Sequence, residues 1–391
     1  MLRLAKRQQN AYCAPCFTKI LIWLSLICIP YVWYSGTAAA AKPSILLPTA
    51  AEWQAALDQA RANSSIPAAV AGIAVCDQSP LIAASGLANL ADNTPVLPDD
   101  CFAVGSITKT FVAVAALQLA EENRLALDDP LAKYMPAFPN AEAITLRHLM
   151  QHTSGLADYV RHCEGMPRLV QALVLLDKPT QEEVVGLISA LPIHFAPGTG
   201  CAYSSSNYYL LGIVIERVTG QALGQVLHER IIDPLALTST YFPSYDQLPS
   251  SAMRGYLRNK AVYYDLTSWE SAPLAWAAGA LVSNATDLIR FSEVLFGGGL
   301  LSPDSLAEMT THRVACGNLE YGLGLYTYDL AIGNGLGHNG QTLGFSTQFC
   351  YLVESDVTLV VLTNLTYDDS TSLFPATSIL EKLVAVLTET M

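Results

Sequence analysis

The sequence predicts an α+β fold in which one antiparallel sheet is built from both ends of the chain, around a mostly helical insert. Apolar runs of strand length lie in residues 66–105 and again in residues 275–391, whereas apolar segments of helical length dominate residues 106–274. The 391 residues are 51% hydrophobic and only 14% charged, which is enough apolar material for a large core. We therefore expect two interlocked subdomains with a pocket at the seam between them.

The individual elements follow from the pattern along the chain. Residues 53–63 have the spacing of a short amphipathic helix. Apolar runs at residues 70–75 and 81–85 flank an Asp-Gln-Ser-Pro turn at residues 77–80, which predicts a hairpin. Residues 241–275 are aromatic and irregular. Further helices are predicted at residues 106–122, 145–152, 207–220, 222–232, 286–296 and 378–387, and further strands at residues 323–328, 345–352 and 357–362.

Residues 1–41 have the three parts of a secretory signal peptide: a basic region ending at Lys19, an apolar stretch and a run of small residues. Cleavage would leave residues 42–391 as one domain. An uncleaved membrane anchor is the alternative, because residues 20–41 carry no charge and are long enough to span a bilayer. We expect a periplasmic or secreted protein, associated with the membrane only if the leader is retained.

The charge of the chain limits its possible partners, and its cysteine content limits its possible disulfides. Beyond the leader, the chain has 17 basic and 34 acidic residues, which argues against a nucleic-acid partner. In an oxidising compartment six cysteines could form up to three disulfides, but the sequence does not select a pairing and free thiols remain open. These cysteines are Cys76, Cys101, Cys163, Cys201, Cys316 and Cys350.

Ser106 and Lys109 are the first candidate catalytic pair. They lie three apart at the start of an apolar helix, so both side chains share one face. Burial lowers the pKa of a lysine, and a neutral amine can activate a serine nucleophile. A helix cap followed by a solvated lysine is the alternative interpretation.

Two further segments carry candidate chemistry. The Pro-Gly-Thr-Gly turn at residues 197–200 leads to Tyr203, which could transfer protons just before a buried helix. His338 and Gly340 precede a predicted strand, where the backbone N–H groups of Gln341 and Ser106 could form an oxyanion hole. The alternative for Tyr203 is an aromatic side chain that only packs in a turn. The alternative for His338 and Gly340 is an ordinary glycine-rich hairpin.

His148 and His152 have a spacing that can hold zinc, but no glutamate accompanies them in a His-Glu-x-x-His pattern. We expect His152 to be a structural histidine that fixes its loop, and we expect neither a metal nor a cofactor.

Together, Ser106-x-x-Lys109, Tyr203 and His338-x-Gly340 resemble the motifs of penicillin-recognising serine hydrolases. The similar branch contains class C β-lactamases, serine D-Ala-D-Ala carboxypeptidases and related esterases and D-aminopeptidases. The resemblance covers about residues 50–390 and implies a three-layer α-β-α fold of the β-lactamase/transpeptidase type. Other matching stretches, in the same order, are residues 104–111, 127–130, 149–156, 197–200 and 279–283.

The resemblance implies a role for each candidate residue. Ser106 would be the acylated nucleophile, Lys109 would help remove its proton, and Tyr203 would be the base for acylation and the acid toward the leaving group. His338 would stand where related enzymes often carry a lysine that holds substrate charge. Ser205 occupies the position of the asparagine in the usual Tyr-x-Asn motif, and because it is shorter and offers one donor, amide recognition is weakened.

These observations predict a serine hydrolase that forms an acyl-enzyme on Ser106. Its substrate would be a D-amino-acid peptide, a β-lactam or a small ester. A binding or scaffolding protein that keeps the fold without turnover is the alternative, and Ser205 is the sequence feature that supports it.

Overall fold

The fold is described from a computed structural model, in which seven segments of the chain are defined. The predicted leader, Cys76 and Cys163 lie outside them. The described residues are 47–75, 78–161, 179–248, 253–267, 272–311, 313–367 and 374–389.

The strands confirm the predicted texture at both ends of the chain. They are β1 (Ala68–Val75), β2 (Leu81–Asn89), β3 (Thr94–Pro95), β4 (Phe102–Ala103), β5 (Tyr256–Asn259), β6 (Val262–Asp265), β7 (Val282–Ser283), β8 (Val314–Cys316), β9 (Leu319–Tyr321), β10 (Tyr326–Leu330), β11 (Gly333–Thr342), β12 (Phe345–Leu352), β13 (Val357–Thr363) and β14 (Leu365–Tyr367).

The helices concentrate in the middle of the chain, as predicted. They are α1 (Ala50–Ala62), α2 (Thr108–Glu121), α3 (Leu146–Met150), α4 (Gln181–Ala190), α5 (Ser205–Thr219), α6 (Leu223–Leu227), α7 (Ala272–Ala275), α8 (Ala285–Phe296), α9 (Pro303–Thr311) and α10 (Pro375–Glu389). Short 3₁₀ turns precede α2 at Gly105–Ile107 and follow α7 at Trp276–Ala278.

One nine-stranded sheet joins the two ends of the chain within the described segments. Its strand order is β3-β2-β1-β13-β12-β11-β10-β9-β8. The predicted hairpin of β1 and β2 is confirmed, with Val70 opposite Ala84. On its other side β1 pairs antiparallel with β13, so that Ala69 lies opposite Thr363. The predicted fold class, an antiparallel sheet built from both chain ends, is therefore confirmed.

Both faces of this sheet are covered by helices, which gives the three layers. Along β13, alternate residues enter two separate cores, because successive strand side chains point to opposite faces. Val357, Leu359 and Val361 pack in one core with residues of α1 and α10. Val360 and Leu362 pack in the other with residues of α2 and α8. Burial on both faces explains why β13 reads as an unbroken apolar run.

Residues 241–275 contain a feature that the sequence did not predict. Strands β5 and β6 form a hairpin whose turn places Lys260 at a positive φ of 55°. Strand β14 then joins β5 in parallel, with Leu365 opposite Tyr256. The sequence did not predict this small sheet because apolar and polar residues do not alternate regularly along its aromatic strands.

No single helix of the described segments has both the length and the apolar composition that are needed to span a bilayer. The bent pair Ser205–Thr219 and Leu223–Ile232, with an angle of 81° at its break, meets both criteria together.

Candidate active site

Ser106 lies in the 3₁₀ turn at the start of α2, where its side chain is partly exposed. The turn is fixed by Thr108, whose hydroxyl donates to the Gly105 carbonyl (2.7 Å) and accepts the N–H of Leu281 (3.0 Å). Gly105 adopts a φ of 55°, and a Cβ there would lie 2.8 Å from the Gln341 nitrogen. The nucleophile candidate therefore sits on a tightly built turn against β11.

Lys109 is fully buried one turn further along α2. Its Nζ lies 2.9 Å from Ser106 Oγ and donates to the Ala278 carbonyl at 2.6 Å. Burial lowers the pKa of this amine to about 7, although the negative charge of Asp158 acts in the opposite direction. Near neutral pH the amine is therefore available in its unprotonated form, beside a serine hydroxyl.

Tyr203 completes the group from the loop that precedes α5. Its hydroxyl is hydrogen-bonded to Ser106, and Lys109 Nζ lies 5.0 Å from the centre of its ring. Burial, reinforced by Tyr326, raises the pKa of this phenol well above its usual value. The phenol is accordingly protonated at neutral pH. Three segments that are distant in sequence thus bring an alcohol, an amine and a phenol together.

His152 holds the Tyr203 segment in place. The ring is fully buried, with its centre 4.3 Å from that of Tyr203 and 4.5 Å from that of Tyr321. Nδ1 accepts the N–H of Ser204 (3.2 Å) and lies 3.0 Å from Asn207 Nδ2. This is the structural role expected for His152. No metal-binding cluster of His, Cys, Asp or Glu occurs in the described segments.

Ser205, at the position of the asparagine in the usual Tyr-x-Asn motif, makes its contacts within the protein. Ser205 is the first residue of α5; it is buried, and its backbone N–H donates to the carboxylate of Asp158. Asn207 is fully buried and accepts the Ser154 hydroxyl at 2.5 Å, so that it belongs to the loop contacts. Asp158 is thus a site neighbour that sequence reasoning missed, because a single aspartate after a loop gives no signal of the helix it will contact.

His338 is fully buried in β11, with both ring nitrogens engaged. Nδ1 lies 2.6 Å from the Asn339 carbonyl, and Nε2 lies 3.0 Å from the Tyr321 hydroxyl. Burial, together with the charge of the nearby Lys109, lowers the pKa of the ring to about 3. At neutral pH the ring therefore carries no positive charge, unlike the lysine that related enzymes often have at this position.

Gly340 and Gln341 bring β11 against the nucleophile turn. A Cβ on Gly340 would lie 1.9 Å from the Val104 carbonyl oxygen, so only glycine allows this approach. Strand β10 pairs with β11 only as far as Gly337, whereas β12 pairs with it as far as Thr342. One edge of residues 338–342 therefore has no strand beside it in the described part of the chain. The side chain of Gln341 is held by Thr366, at 2.6 Å from Nε2 to Oγ1.

A disulfide joins two walls of the site. Cys201, two residues before Tyr203, is bonded to Cys316 at the end of β8. The following strand, β9, carries Tyr321, which packs on His152 and is hydrogen-bonded to His338. The sequence did not select this pairing. Of the other cysteines in the described segments, Cys101 and Cys350 are free thiols.

Comparisons with known proteins identify the family of the chain and relatives of its fold. A family model described as Beta-lactamase matches residues 53–383. Among solved structures, the D-stereospecific amidohydrolase from Streptomyces sp. is 31% identical, with a TM-score of 0.73, over 85% of this chain and 98% of its own. The D-amino acid amidase from Ochrobactrum anthropi SV3 is 25% identical, with a TM-score of 0.79, over 86% of this chain and 97% of its own.

Curated relatives match over a shorter range. Esterase EstB of Burkholderia gladioli is 34% identical over 50% of this chain and 52% of its own length. The putative penicillin-binding protein PbpX of Bacillus subtilis is 30% identical over 59% of this chain and 54% of its own length. The chain thus matches about half the length of these two relatives.

Proposed function

The chain belongs to the Beta-lactamase family, and on that premise we propose that it is a serine hydrolase that forms an acyl-enzyme on Ser106. We propose amides and esters of D-amino acids, including short D-peptides, as its substrate class. The observation that carries the proposal is the 2.9 Å contact between Ser106 Oγ and a buried amine whose pKa is about 7. The names of the amidohydrolase, the amidase and the esterase above support the substrate class.

The ionisation states assign the first proton transfer to Lys109. The neutral amine accepts the hydroxyl proton as Ser106 Oγ forms a bond to the substrate carbonyl carbon. Tyr203 is unsuited to this step because its pKa lies well above the usual value, so a tyrosinate is not available at neutral pH. This assignment differs from the resemblance, which gives Tyr203 the role of base.

Tyr203 instead has the position and the proton to act as the acid. Its hydroxyl, which is hydrogen-bonded to Ser106, can donate a proton to the leaving nitrogen or oxygen as the bond between the carbonyl carbon and the leaving group breaks. The Lys109 ammonium then reprotonates the phenolate, so that the phenol proton leaves with the product and the proton taken from Ser106 restores Tyr203. In the second half-reaction water attacks the acyl carbonyl and Lys109 accepts its proton. As the ester bond to Ser106 breaks and the acid is released, the Lys109 ammonium returns a proton to Ser106 Oγ. The backbone N–H groups of Ser106 and Gln341 are proposed to hold the oxyanion.

Covalent labelling of the nucleophile tests the proposal. A fluorophosphonate probe should add its phosphonyl mass to one site, and peptide mapping should locate that site at Ser106. The Ser106→Ala protein should show no labelling and no hydrolysis of nitrophenyl acetate. The control variant Ser205→Ala keeps Ser106 and should still be labelled. Labelling that persists in Ser106→Ala would identify another nucleophile. Absence of labelling and turnover in the wild type would favour the scaffolding alternative.

We also propose that the protein works outside the cytoplasm. The signal-peptide pattern of residues 1–41 and the disulfide between Cys201 and Cys316 support this location, because disulfides persist in oxidising compartments. N-terminal sequencing of the mature protein tests processing: a start at residue 41 or 42 indicates cleavage. An intact leader together with recovery in the membrane fraction would instead indicate an anchored protein.

A further inference from the structure

Strand β11, which lies against the nucleophile turn, presents no positive charge to a substrate. His338 is sealed between the Asn339 carbonyl and the Tyr321 hydroxyl. A carbonyl can only accept, so Nδ1 carries the ring proton and Nε2 accepts from Tyr321. The neutral ring therefore has no donor left for a ligand.

The groups packed around His338 also oppose its protonation. Tyr203, Tyr321 and Tyr326 surround the ring, at centroid distances of 6.2, 5.7 and 4.9 Å, and each is a neutral phenol at ordinary pH. The electrostatic effect of Lys109 disfavours a second cation. No carboxylate among the described residues contacts the imidazole, and the interaction that does raise its pKa, the hydrogen bond with the Asn339 carbonyl, is outweighed by burial.

The side chains of β11 that do reach open space are uncharged. Asn339 and Gln341 are partly exposed, whereas His338 and Gly340, which alternate with them, are buried. Both exposed groups are amides, which can donate to and accept from a neutral ligand. An amide provides no countercharge for a carboxylate brought into this partly enclosed site.

Two other charged groups influence the site electrostatically, and they oppose each other. Asp158 and Arg161 both affect the ionisation of Lys109, in opposite directions. Arg161 Nε lies 3.8 Å from Asp158 Oδ2, so the two form an ion pair. Of the two cations among the described residues here, Arg161 is thus already paired with a carboxylate, and Lys109 is needed by the reaction in its neutral form.

We propose that the site selects substrates with an uncharged leaving group and discriminates against leaving groups that carry a carboxylate. The inference rests on the proposed function and names its substrate class more narrowly. Primary amides, peptide amides and neutral esters are accepted. Peptides that end in a free D-alanine carboxylate, and β-lactams with their ring carboxylate, are disfavoured, because that charge would lose its hydration without gaining a cationic partner among the described residues.

Matched substrate pairs that differ only in this charge test the proposal. The first pair is N-acetyl-D-alanyl-D-alaninamide and N-acetyl-D-alanyl-D-alanine, which share the same scissile bond. The second pair is 3-carbamoylphenyl acetate and 3-carboxyphenyl acetate, whose leaving groups differ by one amide and one carboxylate. We expect kcat/KM to be at least about tenfold higher for the neutral member, the effect of a missing charged hydrogen bond. The preference should not change between pH 6 and pH 8.

Two variants sharpen the result. His338→Lys should shift the ratio toward the carboxylate substrate, since it adds the missing cation. Arg161→Gln should leave the ratio close to the wild-type value. If His338→Lys does not fold, the wild-type ratio and the Arg161→Gln ratio decide the question. Equal or preferred hydrolysis of the carboxylate member, or a preference for it that disappears in Arg161→Gln, would overturn the inference while the serine hydrolase assignment stands. A wild type with an unlabelled Ser106 would instead overturn the proposed function, and the inference with it.

Discussion

Two histidines in this molecule show how the catalytic region and the helical surface differ. His338 is enclosed by phenols and a carbonyl, and its pKa falls to about 3. His228, after α6, lies 2.9 Å from Asp233 and 3.0 Å from Asp246; partial burial lowers its pKa, but the two carboxylates raise it by more. His338 is therefore held by neutral hydrogen bonds and aromatic packing. His228 at the surface is held by its ion pairs with Asp233 and Asp246.

This difference has a chemical consequence. A buried group without a countercharge is kept neutral, which suits an amine that must accept a proton and a phenol that must donate one. A group between two carboxylates is kept charged, which suits a contact that only needs to hold a turn. Each of the following predictions perturbs one of the two regions.

The largest effect is expected from Lys109→Met, which removes the amine and keeps an apolar chain of similar length. We expect kcat/KM for nitrophenyl acetate to fall about 10²–10⁴-fold, the usual contribution of a general base. Lys133→Met is the matched control, because Lys133 is half exposed and pairs with Asp129 at the surface. A loss of less than tenfold for Lys109→Met would show that another group accepts the proton.

The pH profile of the wild type should report the same amine. Because the neutral form is active, kcat/KM should rise as pH increases through about 7. Asp158 stabilises the ammonium, so Asp158→Asn should move this rise to lower pH, while its amide oxygen can still accept the Ser205 N–H. Asp304→Asn, in the first turn of α9, is the control and should leave the profile in place. An unchanged profile in Asp158→Asn would contradict the electrostatic link.

Removal of the disulfide should weaken the catalytic region and leave the charged surface site intact. For Cys201→Ser combined with Cys316→Ser, the free energy of unfolding should fall by about 2–4 kcal/mol, as expected when a long loop loses its cross-link. Denaturant unfolding under oxidising conditions measures this, with Cys101→Ser as the control for loss of a free thiol. Dithiothreitol should reduce the stability of the wild type but not that of the double variant.

The smallest effect is expected at His228. Its raised pKa means that the contribution to stability is fully present below the unfolded-state value of about 6.5 and is lost as pH rises through the folded-state value. His228→Gln should therefore lower the free energy of unfolding at pH 5, by about 0.5 kcal/mol, and have less effect at pH 9. Because the site is near the surface, 1 M NaCl should reduce the difference at pH 5. A difference that is the same at both pH values would indicate a packing role.

The sequence predicted the parts of the molecule whose signal is local. An unbroken apolar run identified β13, and the three-residue spacing identified Ser106 and Lys109 as a pair. It did not predict the parallel pairing of β14 with β5, because short aromatic strands lack clean alternation. Nor did it predict the contacts of Asp158, since these depend on how a loop packs against a helix that begins only at Ser205.

The same limit applies to the ionisation of the site. Sequence reasoning could place His338 on the strand beside the nucleophile, but its lack of charge follows from its complete burial and from the charge of Lys109, both of which depend on the assembled fold. The Cys201–Cys316 pairing is likewise a property of the assembled walls. A contact between two candidate residues can thus be predicted from spacing, whereas their protonation states depend on tertiary neighbours.

The pairing of β1 with β13 has a consequence for biosynthesis. Ala69 emerges early from the ribosome, but its partner Thr363 is made near the end of translation. The central ladder therefore cannot close cotranslationally, and the nascent polypeptide must stay loosely structured until almost all of it has been synthesised. Closure of the ladder between β1 and β13 is thus a late step of folding, which follows synthesis of nearly the whole chain.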